Sequence, residues 1–218
     1  MISIVLAGRS DAILGEKQLR VIGVTGGVGA GKSQILNFLE EEYGAYVLRT
    51  DELARNLMLP GTDLNRRLQA LLAGRGGFDR DGKLLRGKLA DLIFADPGLR
   101  ARMNGLIHPA VKEEVMRQIR HKRAEARCSL FIIEAALLIE DGYERICDEL
   151  WYIYADEEHR RSRLRESRHY RDEKISAIFA SQLPEETFRR HCVHVIDNNG
   201  SPEEAYRQIR SILDHGTI

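Results

Sequence analysis

Residues 20–33 of the chain read RVIGVTGGVGAGKS. The first half is a short apolar run rich in β-branched residues, which predicts a buried strand. The second half satisfies the pattern G-x-x-x-x-G-K-[ST], whose glycines let backbone N–H groups turn toward phosphate oxygens at the start of a helix. The stretch therefore predicts a strand, a phosphate-binding loop and a helix. The expected phosphate-binding residues are Gly26, Gly27, Val28, Gly29, Ala30, Gly31, Lys32, Ser33 and Gln34.

Two side chains of this loop are expected to bind the nucleotide and its metal ion directly. Lys32 is expected to neutralise the β- and γ-phosphates of ATP, and the Ser33 hydroxyl is expected to bind the Mg²⁺ that bridges them. The alternative is a structural glycine-rich turn that binds no phosphate and matches the pattern by chance. Motors, GTPases and small-molecule kinases share this loop, so the phosphate acceptor has to be predicted from other residues.

Five short apolar runs alternate with segments that have helical periodicity. This alternation predicts an α/β fold, in which helices cover both faces of a five-stranded parallel sheet in the three-layer arrangement of P-loop NTPases and nucleotide kinases. Gly44 is expected to cap the first helix, and Ser201 with Glu204 to cap the last one. The apolar runs are residues 20–25, 45–48, 130–134, 149–155 and 194–196.

The 218-residue chain is long enough for one domain with an inserted part. About eighty residues separate the second and third apolar runs, far more than one crossover helix needs. We therefore expect a substrate-binding helical insertion at about residues 60–125. Its helices are expected to be interrupted at His108-Pro109, because proline disfavours helical geometry for the residue before it.

Composition limits the classes of function. The 33 basic and 33 acidic side chains cancel, which argues against a nucleic-acid binder. No apolar stretch approaches the roughly 18 residues that cross a bilayer, so no membrane association is expected. Cys128, Cys147 and Cys192 lack the paired spacing of a zinc site and are typical of reduced thiols in a cytoplasmic protein. We expect a monomer or a weak homo-oligomer.

Asp51 and Arg55 follow the second apolar run, four residues apart and hence on one face of a helix. A carboxylate there could orient an acceptor hydroxyl and take its proton, while the arginine holds an anionic part of the acceptor. The alternative is that Thr50 or Asp51 only caps the helix and that Arg55 forms a surface ion pair. This segment by itself leaves the two interpretations open.

Several separated motifs together resemble the dephospho-coenzyme A (dephospho-CoA) kinase family, in an order and spacing that hold from about residue 21 to residue 213. Three of these features together identify the family more specifically than the phosphate loop alone. They are the doubled glycine of the loop, the His-Pro pair and the Ile-Asp-Asn sequence. The motifs are TGGVGAGKS at 25–33, DELAR at 51–55, DGKL at 81–84, NGLIHP at 104–109, LLIE at 137–140 and VIDNNG at 195–200.

This resemblance implies an enzyme that uses ATP to phosphorylate the ribose 3′-hydroxyl of dephospho-CoA, the last step of coenzyme A synthesis. It makes Asp51 the catalytic base and Arg55 a contact of the acceptor. It also places acceptor contacts in the insertion, at Arg86 and His108, although a histidine before proline can equally be a structural hinge. Asn198 would hydrogen-bond the adenine of ATP, or belong to an ordinary turn before the final helix.

The resemblance further implies a mobile lid over ATP at about residues 157–190, in which Arg163 stabilises charge on the transferred phosphate. The alternative is a solvated helix whose arginines pair with neighbouring glutamates. We expect most of the arginines in this segment to be solvated and only one or two to reach ATP. Residues 1–19 have no counterpart in the family pattern and are expected to be an N-terminal extension of a kinase domain at 20–218.

Some positions depart from the family pattern. Arg49 stands where the family has an aspartate, and Glu134 and Ala136 replace an aspartate and a proline before the Leu-Leu pair. The second lid arginine of the family falls near Ser167, with Arg168 one position later. Metal and lid contacts are therefore expected to differ in detail.

Three other functions remain open on the sequence. One is a catalytically silent coenzyme-binding module, which Arg49 and Glu134 would allow but which the retained Lys32, Ser33 and Asp51 argue against. Another P-loop kinase that acts on a nucleoside, nucleotide or shikimate-like alcohol would share the loop and differ in its acceptor pocket. A nucleotide-dependent switch or motor is the rival from a different class, but the chain lacks the Asn-Lys-x-Asp segment that reads guanine and is short for a motor.

Overall fold

The structure is a computed structural model that describes residues 19–215. Its strands form one sheet in the order β2-β3-β1-β4-β5, and every neighbouring pair runs parallel. The predicted α/β fold with a five-stranded parallel sheet is therefore confirmed. The predicted N-terminal extension lies outside the described residues except for Leu19, which is buried. The strands are β1 (Arg20–Thr25), β2 (Tyr46–Arg49), β3 (Leu130–Glu134), β4 (Glu149–Tyr154) and β5 (His194–Asp197).

Helices cover both faces of this sheet. Four of them, α2 to α5, lie in the long stretch between β2 and β3. None of the helices in residues 19–215 has the length and apolar character of a membrane span. The helices are α1 (Lys32–Tyr43), α2 (Thr50–Leu57), α3 (Asp63–Leu71), α4 (Arg86–Ala95), α5 (Pro97–Glu125), α6 (Glu157–Arg168), α7 (Asp172–Ala180), α8 (Glu185–His191) and α9 (Pro202–His215).

Alternation along the strands divides the core into two layers. In β3, Phe131 and Ile133 face the cluster that contains α5 residues such as Val115, whereas Ile132 faces the cluster that contains α1 and α9 residues such as Leu39. Side chains of one strand point to opposite faces, so a strand buried on both sides is apolar throughout. This explains why the predicted strands appear in the sequence as continuous apolar runs.

The helices between β2 and β3 have an apolar cluster of their own. Leu64 and Leu68 of α3 pack there with Leu99 and Met103 of α5. The C-terminal half of α5 carries Val111, Val115 and Ile119 into the main core. One long helix therefore joins the inserted part to the sheet.

The predicted interruption at His108-Pro109 is wrong, because α5 runs unbroken through Pro109. Proline removes only its own hydrogen bond to the residue four positions earlier, and that residue is Gly105. The helix is retained because apolar side chains on both sides of Pro109 are buried, in the inserted cluster before it and in the main core after it. Tertiary packing outweighs the local cost of proline.

Strand and helix ends otherwise lie close to the predicted ones. The second strand begins at Tyr46 and not at Ala45, because the Ala45 N–H donates to the Leu39 carbonyl and completes the end of α1. Gly44 caps α1 at φ 60° as expected. The Ser201 N–H donates to the Glu204 carboxylate at 2.9 Å, which confirms one of the two hydrogen bonds of the predicted capping box.

We expect Ile133→Ala to lower the free energy of unfolding by about 3 kcal/mol, because the side chain is fully buried in the central layer and its removal leaves a cavity. Urea denaturation followed by circular dichroism measures this. Phe94→Ala is the control, since Phe94 is 92% exposed and its loss should change stability by less than about 0.5 kcal/mol. Equal effects of the two substitutions would contradict the core assignment.

Candidate active site

The loop between β1 and α1 is shaped by glycines that no other residue could replace without strain. Gly26, Gly29 and Gly31 have φ values of 150°, 86° and 87°. A Cβ at Gly26 would overlap the carbonyl of Ile153 in the neighbouring strand β4, and one at Gly31 would overlap the amide of Asn198. The loop therefore adopts the tight turn that the glycine pattern predicts, directly before the N-terminus of α1.

Lys32 lies inside this turn. Its Nζ donates to the carbonyls of Gly26 at 2.7 Å and Gly27 at 3.3 Å. Burial lowers the pKa of Lys32, and the nearby carboxylates of Glu134 and Asp51 oppose that effect. Both carboxylates are thus close enough to act electrostatically on the loop lysine.

The two carboxylates come from neighbouring strand ends. Glu134 is the last residue of β3, and it is in register with Val24 of β1 on one side and Arg49 of β2 on the other. Asp51 is the second residue of α2, which begins directly after β2. Parallel strands end at the same edge of the sheet, and this brings both carboxylates to the side where the loop lies. Arg49 forms an ion pair with Glu40 of α1 at 3.4 Å.

Asn198 supports the loop from the other side. It is 1% exposed, and its Nδ2 donates to the carbonyl of Ala30 at 2.7 Å. Arg163 of α6 donates to the carbonyl of Asn198 at 2.7 Å and to that of Ala30 at 3.4 Å. Both predicted site residues therefore contact the loop itself. Ser33 is exposed on the first turn of α1, and Gln34 donates to the Tyr206 hydroxyl at 3.3 Å.

Arg160 is a loop contact that sequence reasoning did not single out among the lid arginines. Its Nε donates to the Val28 carbonyl at 3.0 Å, and its guanidinium lies 2.5 Å from where a Cβ on Gly27 would be. The same guanidinium contacts Gln182 and stacks 4.1 Å from the centre of the Phe179 ring in α7. Its charge, with that of Arg168, lowers the pKa of Lys32. Arg160 lies one helical turn before Arg163, so the two side chains are on the same face of α6. This spacing could have indicated from the sequence that Arg160 also contacts the loop.

A cavity of about 170 Å³ opens beside Asp51. It lies between α2, α5 and the segment after β3, so it combines residues from the sheet edge with residues from the inserted helices. Its wall contains both polar and apolar side chains. The lining residues are Thr50, Asp51, Ala54, Ile107, His108, Val111, Ala135, Ala136, Leu137, Asp141 and Tyr143.

His108 and Asp141 are paired in this wall. The Nδ1 atom of His108 lies 2.9 Å from Oδ1 of Asp141. Sequence reasoning singled out His108 but not Asp141, which follows the motif at 137–140 directly and is 33 residues away along the chain. The structure thus brings Asp51 and His108 to one cavity, as expected for residues that bind one acceptor.

The other two predicted acceptor contacts lie elsewhere on the surface. Arg55 is exposed on α2, four residues after Asp51, and Arg86 is exposed at the first residue of α4. Neither is among the described residues that line the cavity. They could reach only a part of the acceptor that extends beyond it.

The oxygen donors beside the loop fit a magnesium ion that is held together with a nucleotide. Within residues 19–215 there is no group of three or more His, Cys, Asp or Glu side chains that could hold a metal. The oxygen donors beside the loop are the Ser33 hydroxyl and the carboxylates of Asp51 and Glu134, and Mg²⁺ commonly combines few protein oxygens with phosphates and water.

The arrangement joins an anion-binding turn, a carboxylate beside it and a cavity beyond the carboxylate. This is the arrangement that phosphoryl transfer needs, with a donor on one side of the carboxylate and an acceptor on the other.

Comparisons with known proteins identify the family to which the chain belongs. The family model described as Dephospho-CoA kinase matches residues 20–204. A dephospho-CoA kinase of Symbiobacterium thermophilum is 34% identical over 193 residues, which are 88% of this chain and 80% of that protein. A dephospho-CoA kinase of Geobacter sulfurreducens is 35% identical over 195 residues, covering 89% and 97% of the two chains.

Solved structures show the same fold. TT1252 from Thermus thermophilus superposes with a TM-score of 0.75 at 28% identity, over 92% of this chain and all of that one. The dephospho-CoA kinase of Campylobacter jejuni gives a TM-score of 0.67 at 18% identity, over 91% and 98% of the chains. A shikimate kinase of Bacteroides thetaiotaomicron, at 0.55 and 13% identity, shares the fold over 89% and 98% of the chains. From its motifs, its fold and the match over residues 20–204, the chain belongs to the dephospho-CoA kinase family.

Proposed function

We propose that the protein transfers the γ-phosphoryl group of ATP to the ribose 3′-hydroxyl of dephospho-CoA, giving coenzyme A and ADP. The observation that carries this proposal is the position of Asp51. Its carboxylate acts electrostatically on Lys32 of the phosphate loop and also lines the cavity that contains His108. One carboxylate therefore belongs to both the donor side and the acceptor side.

On the donor side, the backbone of residues 26–34 surrounds the phosphates of ATP. Lys32 exchanges the carbonyls of Gly26 and Gly27 for the β- and γ-phosphates when the nucleotide binds. This exchange is favourable because a partly buried ammonium gains an anionic partner in place of neutral ones. Asn198, which already holds the Ala30 carbonyl, lies at the end of β5 where the adenine would be recognised.

Mg²⁺ is part of the same proposal. The Ser33 hydroxyl would bind it, with Glu134 near enough to hydrogen-bond its water ligands. When bound, the ion neutralises phosphate charge. The protein's own contribution there is to present an exposed hydroxyl on the first turn of α1, beside the loop.

On the acceptor side, Asp51 orients the ribose hydroxyl and accepts its proton as the new bond to phosphorus forms. His108 lines the same cavity and contacts the same ribose, while Arg55 and Arg86 contact anionic parts of the acceptor that extend beyond the cavity. The helices of the insertion at 60–125 thus form the acceptor-binding part, and α5 connects it to the sheet.

The segment at 157–190 acts as the lid. Arg163 contacts Ala30 of the loop, and from there it stabilises negative charge on the nucleotide during transfer. Closure of such a segment excludes water that would otherwise hydrolyse ATP. We also infer that the protein is cytoplasmic, where its substrates are found and where thiols such as Cys128, Cys147 and Cys192 stay free. A monomeric or weakly oligomeric state stays a prediction.

We expect ATP consumption to rise strongly with dephospho-CoA and to stay near the rate without acceptor when adenosine, uridine or shikimate is offered. The reason is that only dephospho-CoA combines a ribose for the cavity with anionic groups for Arg55 and Arg86. A coupled ADP assay measures this. Faster turnover with shikimate or a nucleoside than with dephospho-CoA would replace the proposed acceptor.

We expect Asp51→Asn to lower kcat by about 100-fold or more, since the variant keeps the shape of the side chain but cannot accept the proton. ATP affinity, measured by calorimetry, should stay close to wild type because the loop contacts are retained. Glu52→Gln is the matched control: it removes one charge at the next, exposed position of α2 and should leave kcat unchanged. A wild-type kcat for Asp51→Asn would remove the base assignment.

We expect Gly31→Ala to abolish measurable ATP binding, because the new Cβ is strained at φ 87° and overlaps the Asn198 amide. Gly61→Ala is the control, since Gly61 has φ 88° but nothing within 4 Å of the added atom. Both variants should lose about 1 kcal/mol of stability from backbone strain, and only Gly31→Ala should lose ATP affinity in calorimetry. Retained binding by Gly31→Ala would show that the loop does not hold the phosphates.

A further inference from the structure

The hydrogen bond between His108 and Asp141 decides which atom of the imidazole is free. A carboxylate can only accept hydrogen bonds, so Nδ1 of His108 carries the hydrogen in the 2.9 Å contact with Oδ1 of Asp141. The neutral ring then has an unprotonated Nε2, which is an acceptor. Among the described residues, Nε2 of His108 has no hydrogen-bond partner, and His108 lines the cavity.

Asp141 is itself held in place by its backbone. Its N–H donates to the Leu137 carbonyl at 2.9 Å, and its own carbonyl accepts from Nζ of Lys112 in α5. Lys112 also lies over the ring of the buried Tyr143, 5.6 Å from its centre. These contacts fix the carboxylate against α5, so the orientation of His108 is set before any ligand binds.

The cavity is large enough to hold a sugar ring between Asp51 and His108. Its volume is about 170 Å³, and a cavity of about 150 Å³ holds a molecule of the size of benzene. The cavity thus accommodates one small ring, such as the ribose of the acceptor. Asp51 takes the reacting 3′-hydroxyl of this ring in the proposed reaction.

A ribose that is esterified at its 5′ position and reacts at its 3′ position has one remaining free hydroxyl, on the neighbouring 2′ carbon. The wall of the cavity offers it an oriented side-chain acceptor with no hydrogen-bond partner among the described residues, Nε2 of His108. We infer that His108 accepts a hydrogen bond from the ribose 2′-hydroxyl and that Asp141 is the positioning residue that holds its imidazole in the required tautomer.

This inference rests on the proposed function and adds a basis for specificity to it. A site built to hydrogen-bond a hydroxyl discriminates against an analogue that lacks it, because its own polar atom is then left unpaired. The enzyme would therefore select ribose over 2′-deoxyribose through the pair His108 and Asp141. Asp51 acts on the neighbouring hydroxyl and would not contribute to this selection.

The test compares dephospho-CoA with its 2′-deoxy analogue. Wild type should show a kcat/KM for dephospho-CoA at least about tenfold above that for the analogue, as expected for the loss of one hydrogen bond in a closed site. His108→Ala should reduce this ratio to near one by lowering kcat/KM for dephospho-CoA only. His108→Gln, whose amide oxygen can stand near the place of Nε2, should recover part of the ratio.

Asp141→Asn tests the positioning role. It should raise KM for dephospho-CoA several-fold and reduce the ratio, with KM for ATP unchanged. In the His108→Ala background the same substitution should not raise KM for dephospho-CoA any further, because Asp141 acts through His108. Glu113→Gln is the matched control: it removes one charge on the exposed face of α5 and should keep the wild-type ratio.

The outcomes separate this inference from the proposed function. If wild type phosphorylates dephospho-CoA and His108→Ala keeps the full ratio while its thermal unfolding is unchanged, the inference is wrong and the proposed function stands. A further rise in KM for dephospho-CoA on adding Asp141→Asn to His108→Ala would overturn the positioning role. If wild type does not phosphorylate dephospho-CoA, the proposed function itself fails.

Discussion

The tight turn of the phosphate loop against strand β4 is the constraint on which the rest of the site depends. At Gly26 the backbone passes so close to the Ile153 carbonyl that no Cβ can be accommodated. The turn ends at the N-terminus of α1, so that backbone N–H groups and the helix dipole provide an anion site without any basic side chain. Because this anion site is built from the backbone, its position is fixed by the sheet, and the side chains around it only have to reach it.

The groups around Lys32 offset the cost of burying its charge. A partly buried ammonium is costly unless it is paired, and here loop carbonyls and two carboxylates offset the burial. Glu134 can act on the charge of Lys32 because Arg49, its neighbour in register on β2, pairs with Glu40 of α1 and not with Glu134. Arg49, which departs from the family pattern, thus forms an ion pair at the surface. Its partners are half-exposed, so the pair contributes little to stability.

The parts of the fold and site that could be predicted are those that depend on local chemistry. The loop glycines, the Gly44 cap and the apolar strands each follow from a residue type at a fixed offset, and the structure has them close to where the sequence indicates. The pairing of His108 with Asp141 and the contact of Arg160 with Val28 join residues 33 and 132 positions apart. No local pattern specifies such contacts. The unbroken α5 escaped prediction for the same reason, because the packing that retains it lies in two separate clusters.

The continuity of α5 also bears on how the acceptor pocket works. His108 precedes Pro109 in the middle of a 29-residue helix, with Met103 packed in the inserted cluster and Val111 in the main core. A break at this point would let the inserted part move relative to the sheet, and the separation of His108 from Asp51 would change with it. A single helix with buried side chains on both sides prevents such movement. The distance across the cavity is therefore set by packing, and in the proposed reaction this would reduce the entropy that acceptor binding has to overcome. The proposed closing movement would then belong to the segment at 157–190, whose Arg160 bridges the loop to Phe179 and Gln182.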